Sequence, residues 1–136
     1  MKKFIIDADT GSDDAVAILL ALIHPETEVL GITVVSGNVP LAQGITNTLS
    51  TIEIAEQDIK VYAGADKPLV REYIEIHTLE ELTEHVKSLS PVSASAQSVH
   101  GVDGMGDIGI GSKSPKYEET GAVDYLIETI NNNPGE

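Results

Sequence analysis

Apolar and polar positions alternate along this chain in a regular succession of strand-like and helix-like segments. Phe4, Ile5 and Ile6 form a short apolar run that reads as a buried strand, and Thr10-Gly11-Ser12 reads as a tight turn. A helix follows from Asp13, with Val16, Ala17, Leu19, Leu20 and Ile23 as its apolar face, and His24-Pro25 stops it. Residues 28–35 (EVLGITVV) are rich in β-branched side chains and predict a second strand, closed by the turn Ser36-Gly37-Asn38. Pro40 opens a second helix over residues 41–57, with Leu41, Ile45, Leu49 and Ile52 at helical spacing. Residues 60–63 (KVYA) make a third strand ending at Gly64. The order βαβαβ predicts an α/β fold with an open, parallel, doubly wound sheet.

Beyond Gly64 the pattern changes. Leu79, Leu82, Val86 and Leu89 outline an amphipathic helix whose wet side carries Glu80, Glu81, Glu84 and Lys87, with His77 and His85 as surface residues. Residues 88–98 are small and polar, a linker or lid by composition. Residues 100–111 (HGVDGMGDIGIG) hold five glycines. No strand runs into them, no helix starts inside them, and the Lys-Ser/Thr of a phosphate loop is missing, so they are neither a dinucleotide fingerprint nor a P-loop. They are either mobile surface or, given His100 and Asp103, a loop that covers a substrate. Ala122, Val123, Leu126, Ile127 and Ile130 predict a third helix, stopped by residues 131–135 (NNNPG). A helix so placed in a βαβ series should hand over to a further strand, so residues 1–136 are expected to be the N-terminal part of a larger domain.

Composition narrows the possibilities. A length of 136 residues with 41% hydrophobic and 22% charged content suits one globular domain. A formal charge of −14 with only eight Lys and Arg argues against nucleic-acid or anionic-membrane partners. No cysteine is present, which excludes disulfides and thiolate chemistry. Only three apolar residues separate Lys3 from Asp7, too few for a signal-peptide core, and no stretch is long enough to span a bilayer, so a cytoplasmic location is the default.

The chemistry concentrates at the first strand's carboxyl end, where Asp7, Asp9, Asp13 and Asp14 crowd together and where open α/β sheets bind ligands. Two carboxylates about 4 Å apart repel by roughly 4 kcal/mol at an effective dielectric near 20. First-turn acids and an N-cap at Ser12 or Asp13 account for one or two of the four. A hard divalent cation accounts for all of them. An EF-hand beginning at Asp7 fails, because Gly11, Ser12 and Ile18 stand where an acid, Gly and Glu are needed. If strands one and two are parallel neighbours, Asn38 arrives beside the acids, as a ligand or merely as an Asx turn.

DADTGSDDA after the first strand, VVSGN after the second, AGADKPL after the third and HGVDGMG in the Gly-rich loop resemble, in order and spacing, the inosine-uridine-preferring nucleoside hydrolases. Residues 79–98 look like an insertion before the HG motif, and residues 99–111 like the mobile active-site loop. The family usually has Pro where Thr10 stands. The resemblance implies hydrolysis of a ribonucleoside N-glycosidic bond by a calcium-bound water. By position, Asp9 and Asp14 would ligate Ca²⁺, Asp9 would take the water's proton, Asp13 and Asn38 would hold the ribose, and His100 would act from the loop. Asp7 would stand behind these groups in a supporting role. It also implies a homo-oligomer or a complementing C-terminal chain, since family members supply further ligands from a second half.

Two other readings compete. Asp7-Ala8-Asp9-Thr10 resembles the DxDxT motif of haloacid-dehalogenase-like phosphatases, with Asp7 as nucleophile, Asp9 as general acid, Ser36 in the second motif and Mg²⁺ as cofactor. A non-catalytic calcium- or ribose-binding remnant is the other.

Overall fold

The computed structural model describes residues 1–67, 98–113 and 116–135. Within them the apolar runs become three parallel strands, β1 (Lys2–Ala8), β2 (Thr27–Val34) and β3 (Val61–Ala63), in the order β1-β2-β3. The crossovers are helices α1 (Ser12–Ile23) and α2 (Leu41–Ile54), and α3 (Ala122–Asn132) follows later in the chain. The α/β class and the parallel order are as expected. Ala8 lies opposite Val34, and Val34 opposite Ala63, so the three strands end at one edge of the sheet. Their following loops therefore meet there.

Side-chain alternation sorts the sheet into two faces. Ala8, Ile32, Val34 and Val61 pack with Ile18 of α1 and Ile45, Leu49 and Ile52 of α2 in the main core. The neighbouring positions point the other way, where Tyr62 packs with Ala122 and Tyr125 of α3 and with Ile5. The Tyr62 and Tyr125 rings stack at 3.7 Å between centroids and 10° between planes. Burial pushes both phenols up. Among the described residues the buried Tyr125 hydroxyl has no hydrogen-bond partner, although the Thr129 side chain is near enough to act on it. It lies over Gly31, whose α-carbon leaves it room: a Cβ there would stand 2.3 Å from Tyr125 Oη and 3.1 Å from Tyr62 Cε2. Gly31→Ala is accordingly expected to destabilise the chain by about 1–3 kcal/mol, the usual cost of overpacking. Its midpoint in urea, compared with that of wild type at unchanged slope, checks this.

Three local expectations change. Among the described residues strand β1 borders the sheet rather than lying inside it, and Phe4 is 42% exposed while Ile5 and Ile6 are half-buried. Helix α1 buries Ala15 and Ile18, whereas Val16, Leu20 and Ile23 are exposed. Its sequence from residue 15 to 23 is apolar on every side, so the period marks a helix without choosing a face. The cap of α1 is Gly11, not Ser12 or Asp13. The helix, linker and histidines assigned to residues 77–97 lie outside the described residues.

Candidate active site

Where β1 gives way to α1, the chain must satisfy the helix's unpaired N–H groups. Gly11 offers no side chain, and the carboxylate three residues on does the work from inside the helix: Asp14 Oδ2 accepts the Gly11 N–H at 3.2 Å. Ser12 is thereby spared from capping, and its hydroxyl lies 3.1 Å from His100 Nδ1. Asp13 Oδ1 is 3.6 Å from the same nitrogen. The loop after β2 meets this turn from the other side, where the Asn38 N–H donates to Asp9 Oδ2 at 2.6 Å.

Gly11 stands at the meeting point of three segments. A Cβ on it would lie 3.3 Å from each of Asn38 Nδ2, Asp13 Oδ1 and His100 Nδ1. Thus Asp9, Asp13, Asp14, Asn38 and His100 converge, although 91 positions separate the first from the last. Burial pushes the Asp14 carboxyl up; the Gly11 N–H opposes that shift, and the charges of Asp9 and Asp13 add to it.

Asp7 is placed differently. It lies opposite Thr33, and Thr33 opposite Tyr62, on the sheet face that α3 covers. Its carboxylate accepts a hydrogen bond from Thr33 Oγ1 at 2.5 Å. The alternation that separates residue 7 from residue 8 directs it to this row, beside the strand rather than beyond its end.

The Gly-rich segment closes on itself. Asp103 Oδ1 accepts the N–H groups of Met105 and Asp107 at 2.7 and 2.9 Å, and Oδ2 that of Gly109 at 3.3 Å. These bonds, that to Met105 first, hold the Asp103 carboxyl below its usual range. Asp107 Oδ1 returns the pattern by accepting from Val102 and Asp103. Gly101 and Gly104 adopt φ of 78° and 77°, which the tight winding requires.

The sequence reading missed the polar face of α2. Asn47, Thr48, Ser50 and Thr51 are all buried there. Thr48 Oγ1 donates to the Gly44 carbonyl at 2.8 Å, so in the 2.7 Å contact between Thr10 and Thr48 hydroxyls Thr10 is the donor. A Pro at position 10 would lack that tie. The available signal was the run TNTLST over residues 46–51, polar in a helix whose other residues are mostly apolar.

Asp9, Asp14 and the Asn38 amide are hard oxygen donors of the kind calcium takes, and the charges of Asp9 and Asp13 add to the burial that raises the Asp14 carboxyl. They fit such an ion in kind and fall short in number, since calcium takes about six to eight oxygens. Among the described residues no group of three His, Cys, Asp or Glu side chains is close enough to hold a metal. Nor is any helix among them long and apolar enough to cross a membrane.

The chain has clear relatives. It is 40% identical over 135 residues to an uncharacterized protein of Schizosaccharomyces pombe, covering 98% of this chain and 37% of that one. It is 33% identical over 129 residues to the pyrimidine-specific ribonucleoside hydrolase RihB of Escherichia coli, covering 95% and 35%. Among solved structures, the purine-preferring ribonucleoside hydrolase from Gardnerella vaginalis superposes with a TM-score of 0.77 at 34% identity, over 96% of this chain and 36% of that one. The chain thus spans little more than a third of these relatives' length. The profile described as inosine-uridine preferring nucleoside hydrolase matches residues 4–136, and to that family the chain belongs.

Proposed function

We propose that this chain is the N-terminal part of a calcium-dependent N-ribohydrolase, which cleaves the bond between base and ribose of a ribonucleoside by adding water. The observation that carries this reading is the convergence of Asn38 Nδ2, Asp13 Oδ1 and His100 Nδ1 around Gly11, with Asp9 fixed alongside by the Asn38 N–H. Bound calcium would lower the pKa of a water and orient the ribose diol. Asp9 and Asp14 would hold the ion. Asp9 Oδ2 is engaged by Asn38, and Oδ1, without a hydrogen bond among the described residues, is the oxygen that takes the proton from water. Asp13, with its side chain 73% exposed, accepts from a ribose hydroxyl, and Asn38 holds the sugar from the opposite loop. The clustered carboxylates favour the positive charge that develops at the anomeric carbon. His100 reaches the pocket through the Gly-rich loop.

The catalytic unit requires more protein than these residues. The outer edge of β1 is unpaired among the described residues, and the exposed apolar side chains of α1 (Val16, Leu20, Ile23) and α3 (Val123, Ile127, Ile130) offer surface for further packing. A C-terminal portion, in the same chain or another, supplies the missing metal and ribose ligands. The isolated 136-residue chain is therefore expected to release almost no free base or ribose from a mixture of ribonucleosides with calcium present. The same chain joined to the C-terminal portion of a relative should turn them over. Robust turnover by the verified isolated chain would overturn the requirement, and inactivity of the completed protein would favour a non-catalytic binding role.

A further inference from the structure

We infer that Asn47 is a positioning residue, the clamp that seats the His100 loop on the acidic turn. The residue is 1% exposed, and its amide is committed on both sides. Nδ2 donates to the Thr10 carbonyl and to the Asp103 carbonyl, each at 2.9 Å, and Oδ1 accepts from Gln43 Nε2 at 2.9 Å. One –NH₂ group thus joins the turn that carries Asp9, Asp13 and Asp14 to the loop that carries His100. The orientation is unique, because exchanging O and N would set an oxygen against two carbonyls and an –NH₂ against that of Gln43.

The packing agrees with the hydrogen bonds. Gly104 sits so close that a Cβ would lie 3.2 Å from Asn47 Nδ2 and 2.6 Å from Val39 Cγ1. The loop is then rigid from that anchor back to His100, because Gly106 N–H donates to the His100 carbonyl at 2.7 Å and Asp103 and Asp107 tie its interior. At His100 itself, by contrast, the described contacts with the acidic turn are to the side chains of Ser12 and Asp13, both exposed residues. Exposed polar contacts of that kind hold a loop weakly, whereas a buried amide with two acceptors holds it firmly. Asn47 therefore sets where the imidazole stands, without touching the reacting atoms.

Asn47 serves the pocket of the proposed hydrolase, so its importance for turnover rests on that reading; the test needs no nucleoside and can fail separately from it. Asn47→Asp preserves the shape, removes both donors and puts a carboxylate against two carbonyls. In the ¹⁵N,¹³C-labelled chain, cross-relaxation between the His100 ring and the Gly11 α-protons should be lost in N47D. The Gly106 amide should exchange on the order of tenfold faster, while amides paired between β1 and β2 keep their protection. Leu49→Ala, an apolar truncation on the same helix, lowers stability yet should keep the His100–Gly11 contact. Wild-type contact intensity in N47D, or equal loss of it in L49A at matched thermal stability, would overturn the inference. Should N47D not fold, the wild type still decides. Asn47 side-chain protons exchanging far more slowly than those of exposed Asn131 support the clamp, and equal rates overturn it.

Discussion

Asp9→Asn is expected to lower ribonucleoside hydrolysis by about 10²–10⁴-fold in the protein completed by the C-terminal portion its relatives carry, the loss that accompanies removal of a general base. The substitution acts on one lone pair. Asn38 N–H donates to Asp9 Oδ2 at 2.6 Å and would demand an oxygen in the same place, so the new carboxamide must turn its Oδ1 toward Asn38. Its –NH₂ then stands where Asp9 Oδ1 stood, so the oxygen assigned to take the proton from water is gone. The turn itself should survive, because the Thr10–Thr48 and Thr10–Asn47 hydrogen bonds do not involve the Asp9 side chain. Burial is the main cause that raises Asp14, and removing the negative charge of Asp9 also takes away a lesser contribution to that shift. Asp7→Asn is the contrast. Its carboxylate bonds Thr33 on the α3 side of the sheet, so hydrolysis should stay near wild type, whereas a phosphatase with Asp7 as nucleophile would lose all activity. Measuring released base and ribose for both variants discriminates the two chemistries. Hydrolysis by D9N within tenfold of wild type would remove Asp9 from the role of base.

What made the site legible in sequence was topology more than any single residue. Once residues 4–6 and 28–35 are read as parallel neighbours with a helix between them, their following turns must lie side by side, and Asp9 and Asn38 do meet. The Gly-rich segment is less legible, because its geometry depends on Asp103 and Asp107 accepting N–H groups that glycines leave free to turn, and such bonding has no period. Helix α1 shows a different limit. An apolar pattern that runs all round a helix states that both sides will be covered, and cannot state by which neighbour. Asn47 was hidden for a third reason: a polar residue inside a helix reads as surface until its partners, 37 and 56 positions away, are brought to it.

Gly37→Ala is expected to cost about 10²-fold in kcat/KM of the completed protein, although residue 37 contributes no functional group. An added Cβ would lie 2.2 Å from Asp9 Oδ2, 2.7 Å from Cγ and 2.8 Å from Cβ, three atoms of one short side chain. The near collision cannot be relieved by a small rotation about one bond, since Cβ of Asp9 is itself too close. Either the carboxylate swings out of the pocket or the two loops separate, and in both cases the Asn38 N–H to Asp9 Oδ2 bond is lost. A displacement of about 1 Å at a catalytic group is enough for a loss of this size. Gly37 is not among the residues at positive φ, so alanine meets no backbone penalty there and the effect falls on Asp9. The pattern expected is a lower kcat together with weaker calcium binding by titration calorimetry, because Asp9 is assigned to both tasks. Weakened calcium binding with kcat intact would confine Asp9 to the metal, and unchanged behaviour in both would show that the pocket does not need its carboxylate where Gly37 lets it stand.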